Sequence, residues 1–225
     1  MTLSGDLSPF WLSLRVASMA TVLIFTFGTP LAFILARLHF PGKGLLGGVL
    51  LLPLVLPPTV LGFCLLQLLG RQAPLGLFLE KWLGITLVFH WSGAVVASAV
   101  AAFPLFLLPA RGAIESVDPA LENVARLLGR GEVSVFFSVT VPLAWRGLAA
   151  GVLLSFARAL GDFGATLMVA GDIPGVTQTA SLAVYDAVQV QDTPRAAVLV
   201  FLVSLVSIIV LIVVQRGLPS RKVVP

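Results

Sequence analysis

Residues 111–142 read RGAIESVDPALENVARLLGRGEVSVFFSVTVP and form a polar segment between hydrophobic runs of membrane-spanning length. Seven charged side chains lie within it, in a chain that has only 14 basic and 10 acidic residues. A single charge costs roughly 2.5–3.5 kcal/mol at the centre of a bilayer. The segment is therefore predicted to lie outside the membrane, between two spanning helices.

The first half of this segment has the pattern of a short amphipathic helix over residues 119–129. Asp118 is suited to the N-cap, and a proline follows it at the first helical position. Apolar residues recur at i, i+3, i+4 and i+7 along one face: Leu121, Val124, Ala125 and Leu128. Glu122 and Arg126 are spaced for an i,i+4 ion pair on the other face. Such an apolar stripe is typical of a helix that binds in a groove of a partner.

The chain is predicted to turn sharply after this helix. Gly129 follows the last apolar position, where a glycine with positive φ commonly ends a helix. A second amphipathic run comes next and is closed by Pro142; it contains Val133, Phe136, Phe137 and Thr140. The segment is thus predicted to be an ordered helix-turn-helix, and such order outside the membrane indicates that it binds a partner.

Composition places the chain among integral membrane proteins. Hydrophobic residues make up 58% and charged residues 11% of the 225 residues, and the mean hydropathy is +1.06. An average soluble protein has about 25% charged residues. We expect one all-α domain over residues 1–225, built as a helix bundle. The single cysteine, Cys64, lies in a hydrophobic run and is interpreted as a small packing residue.

Five stretches reach the ~20 residues that a helix needs to cross the hydrocarbon core. They are residues 11–37, 45–69, 85–110, 147–170 and 196–215. The second contains Pro53, Pro57 and Pro58, which free backbone carbonyls that neighbouring groups or water must satisfy. Residues 71–83 are too short to span and are predicted to lie at the membrane interface.

The basic residues decide the predicted orientation. With residues 111–142 in the cytoplasm, five spans place the N-terminus outside and the C-terminus inside. Nine basic residues then lie inside: Arg37, Lys43, Arg111, Arg126, Arg130, Arg146, Arg216, Arg221 and Lys222. Three lie outside: Arg71, Lys81 and Arg195. This asymmetry follows the positive-inside rule, and the reverse topology violates it.

Arg158 and Asp162 are charges inside the predicted fourth span, four residues apart and so on one face. One interpretation is a structural ion pair. The other is that Arg158 lines a path for an oxyanion and Asp162 restrains it, since charges at this depth normally face a bundle interior or water. The other candidate pathway residues are Pro57, Pro58, Thr59, Ser155 and Thr166.

The longest outside connection, residues 171–195, has turn signals near both ends and loose helical spacing at Leu182, Tyr185 and Val188. It is interpreted either as a surface helix over the mouth of the bundle or as a contact surface for a substrate-delivering partner or an outer gate. The two interpretations are compatible.

No catalytic or metal-binding pattern is evident in the sequence. Residues 42–47 match G-x-G-x-x-G, but they follow no strand and open a membrane span, so a dinucleotide site is rejected. There is no G-x-x-x-x-G-K-[ST] loop and hence no Walker site for ATP. His39 and His90 lie apart from any cysteine or paired acid. We expect neither an enzyme nor a cofactor, metal or nucleic-acid partner.

The polar segment resembles the EAA loop of ABC importer permeases, whose pattern is Glu-Ala-Ala, three residues, Gly, nine residues and Ile-x-Leu-Pro. The positions that carry the pattern are Ala125, Gly129, Val139, Val141 and Pro142. Asn123 stands in the acidic place, and the acid is displaced to Glu122. The stretches FPGKGLLGGVLLLPLVLPPTVLGF, VFFSVTVPLA and SFARALGDFGAT are similar to the molybdate-type subfamily, so the resemblance covers about residues 40–170.

This resemblance implies a type I importer fold with a MetI-like core, acting as the permease subunit of an ATP-driven molybdate importer in a prokaryotic cytoplasmic (inner) membrane. Two copies would form the pathway, two separate ABC ATPase subunits would dock below, and an extracytoplasmic oxyanion-binding protein would present the substrate. ATPase closure would pull the two cytoplasmic helices together and switch the pathway from inward- to outward-open. The implied ATPase-coupling residues are Asp118, Leu121, Glu122, Asn123, Val124, Ala125, Arg126, Leu128, Gly129 and Pro142.

Three alternatives stay open at the level of sequence. Tungstate, sulfate or another oxyanion is the alternative substrate. A secondary transporter or channel would have internal repeats, and no convincing repeat relates the two halves. An intramembrane enzyme would need a nucleophile–base or metal constellation, which the sequence lacks.

Overall fold

The computed structural model describes residues 6–84 and 86–217, which form helices joined by short connections. The helices are α1 (Ser8–Arg37), α2 (Lys43–Val55), α3 (Pro58–Leu69), α4 (Pro74–Leu83), α5 (Trp91–Glu115), α6 (Pro119–Leu127), α7 (Glu132–Val135), α8 (Val141–Leu160), α9 (Gly164–Ala170), α10 (Ala180–Gln189) and α11 (Thr193–Gly217). A π-helical segment, Phe136–Thr140, joins α7 to α8. Ile85, where the third span is predicted to begin, and the predicted inside charges Arg221 and Lys222 lie outside the described residues.

The helices α1, α5 and α8 form the centre of the bundle because small residues let their backbones approach closely. Phe106 of α5 is fully buried there. A Cβ on Gly151 of α8 would lie 2.9 Å from the Phe106 ring and from its carbonyl oxygen. A Cβ on Gly147 would overlap the side chain of Ala113. Larger residues at these two glycines would push α8 away from α5.

Within the described residues, four helices are long and apolar enough to cross a membrane: Ser8–Arg37, Trp91–Glu115, Glu132–Leu160 and Thr193–Arg216. The pair Lys43–Val55 and Pro58–Leu69 passes the same test together, with a bend of 119° between its halves. Counting that pair as one span gives the predicted five-span, all-α architecture. The bend lies at the predicted prolines, because Pro57 forces Leu56 into an extended conformation and Pro58 opens α3.

The fourth span differs from the predicted residues 147–170 at both ends. The helix begins earlier, at Glu132, and runs through the π segment to Leu160. It then breaks at residues 161–163, and the remaining residues form the separate helix α9. The break is stable because the Asp162 carboxylate accepts a hydrogen bond from the amide of Thr166, in the first turn of α9.

The second half of the predicted helix-turn-helix is therefore the base of the fourth spanning helix, and Pro142 does not close it. Pro142 stands in the first turn of α8. The Val141 amide bonds the Phe136 carbonyl in an i→i+5 pattern, and this wider turn accommodates a proline, which has no N–H to donate. At the other end of the polar segment, α5 continues to Glu115, so the segment begins inside a helix.

The connection of residues 171–195, which is predicted to lie outside, contains the predicted helix, α10. Its inner face is fully buried at Leu182, Ala183 and Ala187, and its first amide, that of Ala180, donates a 2.7 Å hydrogen bond to Ser13 Oγ of α1. Tyr185 and Val188 remain exposed on the outer face. The helix thus packs on the bundle and still presents a free surface. The short stretch after the second span is also helical, as α4, and is too short to span.

The orientation can be tested by labelling in a Cys64→Ser background. A cysteine introduced by Ser134→Cys in α7 should react with a membrane-impermeant maleimide only from the cytoplasmic side. One introduced by Val190→Cys, directly after α10, should react only from outside, because the basic residues favour the inside. Both native side chains are exposed, so access does not limit the reaction. The reverse labelling of the two variants would overturn the orientation.

Candidate functional site: the α6 helix and the helix breaks

The N-terminus of α6 is capped as the sequence predicts. Asp118 is the N-cap residue, and its Oδ1 accepts a hydrogen bond from the Ala120 amide at 2.9 Å. Pro119 occupies the first helical position, where no amide donor is needed. A cap of this kind stabilises a helix by about 1 kcal/mol.

The C-terminus of α6 ends in a Schellman motif. The Gly129 amide bonds the Arg126 carbonyl at 2.9 Å, and the Arg130 amide bonds the Ala125 carbonyl at 3.1 Å. Gly129 has a φ of 82°, which confirms the predicted left-handed conformation. With both ends fixed, this helix of nine residues is stiffer than its length suggests.

The apolar face of α6 points away from the bundle. Leu121 and Val124 are about half exposed, and Leu128 is 79% exposed. Leu127, which the sequence analysis did not single out, is 87% exposed. It lies three residues after Val124, a spacing that could have identified it. Ala125, at the edge of the predicted stripe, is instead buried against the rest of the protein.

Glu122 is buried, which corrects its predicted place on the exposed face of the helix. Only 2% of the residue is accessible. Its Oε1 accepts hydrogen bonds from Arg37 Nη2 at 2.9 Å and from Thr140 Oγ1 at 2.8 Å. The predicted partner Arg126 is present but more distant, with Nη2 at 3.8 Å from Glu122 Oε2. Glu122 and Ala125 therefore face inward, and the leucines of α6 face outward.

Arg37 is a site residue that the sequence analysis treated only as a topological charge. It lies in the last turn of α1 and is 85 positions away from Glu122. Its Nη2 also donates to the Val117 carbonyl at 2.8 Å, in the connection between α5 and α6. A local sequence pattern cannot reveal such a partner. Removing one member of a buried ion pair typically costs about 3–5 kcal/mol, because the other charge is left unpaired.

Arg126 ties α6 to α7 across the Gly129 turn. Its Nε and Nη2 donate to the two carboxylate oxygens of Glu132 at 2.7 and 3.1 Å, and its Nη1 donates to Asn123 Oδ1 at 2.8 Å. The hydrogen bonds that the Arg126 guanidinium donates to the Glu132 carboxylate raise the pKa of Arg126 above its ordinary value. Asn123, in the acidic place of the resembling motif, thus orients a neighbouring arginine. Because the pair is exposed, its geometry contributes more to the shape of the turn than to stability.

A second polar network lies at the break between α8 and α9. Asp162 Oδ1 accepts a 3.1 Å hydrogen bond from Arg158 Nη1, and Asp162 Oδ2 accepts from the Thr166 amide at 3.0 Å and hydroxyl at 2.8 Å. The Thr166 and Ser98 hydroxyls are 3.2 Å apart. The Asp162 side chain is 1% exposed, whereas that of Arg158 is 31% exposed. Asp162 is therefore held by three donors, while the Arg158 side chain is partly exposed.

The two helix breaks meet in the structure. A Cβ on Gly164, the first residue of α9, would lie 2.9 Å from Pro58 Cβ and 3.2 Å from the Thr59 amide nitrogen. Pro57, Pro58 and Thr59 are exposed. The structure thus brings Pro58 and Thr59 against the first residue of α9, the helix that Asp162 and Thr166 begin. Ser155 is buried and donates to the Val152 carbonyl of its own helix.

Comparison with known proteins also indicates a membrane transport protein. A family model described as the binding-protein-dependent transport system inner membrane component matches residues 28–222. The chain belongs to this family. This inner membrane component is a multi-pass transport protein, and the helices long enough to span fit that assignment.

Its relatives cover nearly the whole chain. The molybdenum transport system permease protein ModB of Escherichia coli (strain K12) is 44% identical over 207 residues, which cover 92% of this chain and 90% of the relative. The ModB protein of Haemophilus influenzae is 41% identical over 208 residues, covering 91% of each chain. A chain of the MetNI methionine ABC transporter, solved in inward-facing conformations, has a TM-score of 0.65 at 17% identity and covers 98% of this chain. That last likeness is one of fold and confirms the type I importer permease architecture.

The two glycines that flank Arg130 allow a matched test of the α6 cap. Gly129→Ala places a side chain at a φ of 82°, whereas Gly131→Ala does so at a φ of −71°, and neither new Cβ would meet another atom within 4 Å. The first substitution should destabilise the last turn by about 1 kcal/mol, and Gly129→Val by more. Hydrogen exchange of the α6 amides should then be about fivefold faster in Gly129→Ala than in Gly131→Ala. Equal exchange in both would contradict the role assigned to the glycine cap.

Proposed function

We propose that this chain is the membrane-spanning permease subunit of an ATP-driven molybdate importer and that α6 is the helix on which its ATPase docks. The observation that carries the docking role is the outward face of α6, where four apolar side chains project from a capped and anchored helix: Leu121, Val124, Leu127 and Leu128. A cytoplasmic helix gains nothing by presenting these side chains to water. It gains from burying them in a groove on a partner.

The substrate assignment rests on the relatives and on one chemical feature. The curated relatives at 41% and 44% identity are molybdenum transport permeases, and the chain covers at least nine tenths of each. Molybdate is an oxyanion, and the partly exposed, positively charged side chain of Arg158, which bonds Asp162 in the second helix break, suits an anion. Tungstate or sulfate is the second candidate, because these oxyanions present the same tetrahedral charge.

The proposed partners follow from the missing Walker loop and from the exposed faces of α6 and α10. The sequence has no Walker loop, so ATP hydrolysis is assigned to separate subunits, one on the α6 helix of each of two permease copies. The exposed side of α10, with Tyr185 and Val188, is assigned to the external binding protein. ATP-driven closure would draw the two α6 helices together and rotate each permease as a rigid body, which opens the pathway to the outside.

Charge substitutions on the outward face of α6 should break docking without breaking the permease. Leu121→Glu and Leu128→Glu should each weaken ATPase binding by about tenfold or more, because an apolar anchor at the centre of an interface is worth at least ~1.4 kcal/mol. The measurement is pull-down of the ATPase together with molybdate uptake in the same membranes.

The matched control is Leu75→Glu, which makes the same change at an exposed leucine of α4. It should leave binding and uptake intact. Full binding and uptake in both α6 variants would mean that α6 is only a connection. Glu122→Lys does not probe docking, because Glu122 faces Arg37 inside the protein.

The pathway role of Arg158 is tested by changing its charge and its shape separately. If the guanidinium attracts the oxyanion, Arg158→Lys should retain part of the transport rate and Arg158→Gln should lose most of it, with normal amounts of protein in the membrane. The rate of labelled molybdate uptake by the reconstituted complex is the measurement. Arg146→Gln, an exposed arginine at the other end of α8, is the control. Failure of both Arg158 variants to accumulate would identify the Arg158–Asp162 pair as purely structural.

A further inference from the structure

The outward docking face of α6 requires that something inside the protein hold the helix against force, and the structure assigns that task to Arg37. We propose that Arg37 is a positioning residue that makes α6 and the cytoplasmic end of α1 move as one body during transport. This inference rests on the proposed function, since it specifies how movement of the docking helix enters the membrane domain.

Arg37 holds α6 at two points with one nitrogen. Its Nη2 donates to the Val117 carbonyl, just before the helix begins, and to Glu122 Oε1, on the inner face of the first turn. The two distances are 2.8 and 2.9 Å. A lysine would keep the charge and several donors on one nitrogen, but it lacks the rigid guanidinium plane that fixes the direction in which Arg37 donates. The contact therefore fixes the direction of α6 as well as its distance from α1.

The same face of α1 makes a second contact with the cytoplasmic region. Phe33 lies four residues before Arg37, one turn along the helix, and its ring packs edge-to-face on that of Phe136 with the centroids 5.0 Å apart. Phe136 is the first residue of the π segment, and Thr140, which donates to Glu122, is the last. The end of α1 thus contacts both α6 and the base of the fourth spanning helix.

Burial makes this junction stiff. The side chains of Arg37 and Glu122 are 16% and 3% exposed, and Thr140 is fully buried. A charge pair that is largely shielded from water cannot exchange its partners for solvent without a large cost. Ion pairs at the surface, such as Arg111 with Glu115, can exchange their partners for water at little cost. When an ATPase pulls on α6, α1 is therefore expected to follow instead of letting the helix tilt alone.

The test measures movement and coupling in the full complex of permease and ATPase. Spin labels are introduced by His39→Cys and Pro119→Cys in a Cys64→Ser background. Both positions are exposed, and position 119 lies about 80° or more around α6 from the docking side chains. With Arg37 in place, the distance between the labels should be the same in the nucleotide-free and vanadate-trapped states. In Arg37→Gln the distance distribution should broaden and shift on trapping, and the molybdate imported per ATP hydrolysed should fall by about fivefold or more.

Binding of the ATPase should be normal in Arg37→Gln, because the outward face of α6 is untouched, and Arg37→Lys should retain intermediate coupling. Arg111→Gln, which removes an exposed arginine at the same end of the bundle, is the matched control and should change neither readout. The proposal is overturned if Arg37→Gln couples as well as Arg111→Gln. It is also overturned if the label distance changes between the two states with Arg37 in place.

If Arg37→Gln fails to accumulate, the double variant Arg37→Gln/Glu122→Gln is tested instead. It removes the Glu122 charge that the single variant leaves buried and unpaired. A double variant that accumulates, binds the ATPase and hydrolyses ATP with poor import supports the positioning role. One that accumulates and imports at the normal ratio overturns it, since the pair would then be needed for folding alone. Failure of the proposed function itself would be distinct: the unaltered permease would neither bind the ATPase nor import molybdate.

Discussion

The burial of the Glu122 carboxylate is the constraint on which the junction of α1, α6 and α8 depends. A carboxylate with 2% exposure must find donors, and here they come from Arg37 at the end of α1 and Thr140 at the base of α8. To reach them, α6 turns Glu122 inward, whereas a helix on the surface of a soluble protein usually points its charged residues to water. Its leucines are left facing water as a result. The surface available to a partner is thus a consequence of where one charge is satisfied.

The sequence predicts the features of this protein that arise from local chemistry. The class and the number of spans follow from hydropathy, and the ends of α6 follow from Asp118, Pro119 and Gly129, whose preferences act within one turn. The inward face of α6 could not be predicted in the same way. An amphipathic pattern shows that two faces differ, and it does not show which is buried. That choice depends on Arg37, a residue 85 positions away.

The two helix breaks also differ in how far the local sequence predicts them. The prolines between α2 and α3 mark the first break in the sequence itself, whereas the break after Leu160 lies in an apolar run that hydropathy extends to residue 170. A local signal was present at the second break, since Asp162 precedes Thr166 at a spacing that allows a carboxylate to cap a new helix. The contact of Gly164 with Pro58 and Thr59 has no local signal, because it joins two distant breaks.

The π segment shifts the phase of the fourth spanning helix. Successive residues of an α-helix are about 100° apart, so residues five apart point about 140° away from each other. Val135 and Thr140 are five apart and both buried, because i→i+5 bonding brings such residues toward the same side. A single helical wheel drawn from Glu132 to Leu160 would therefore misassign the faces of α8. If the same residues formed a regular α-helix, Ala144, Leu148 and Gly151 would turn away from α5 by about 100°, the rotation of one residue. The wider turn thus lets Thr140 reach Glu122 while α8 keeps its small residues against α5.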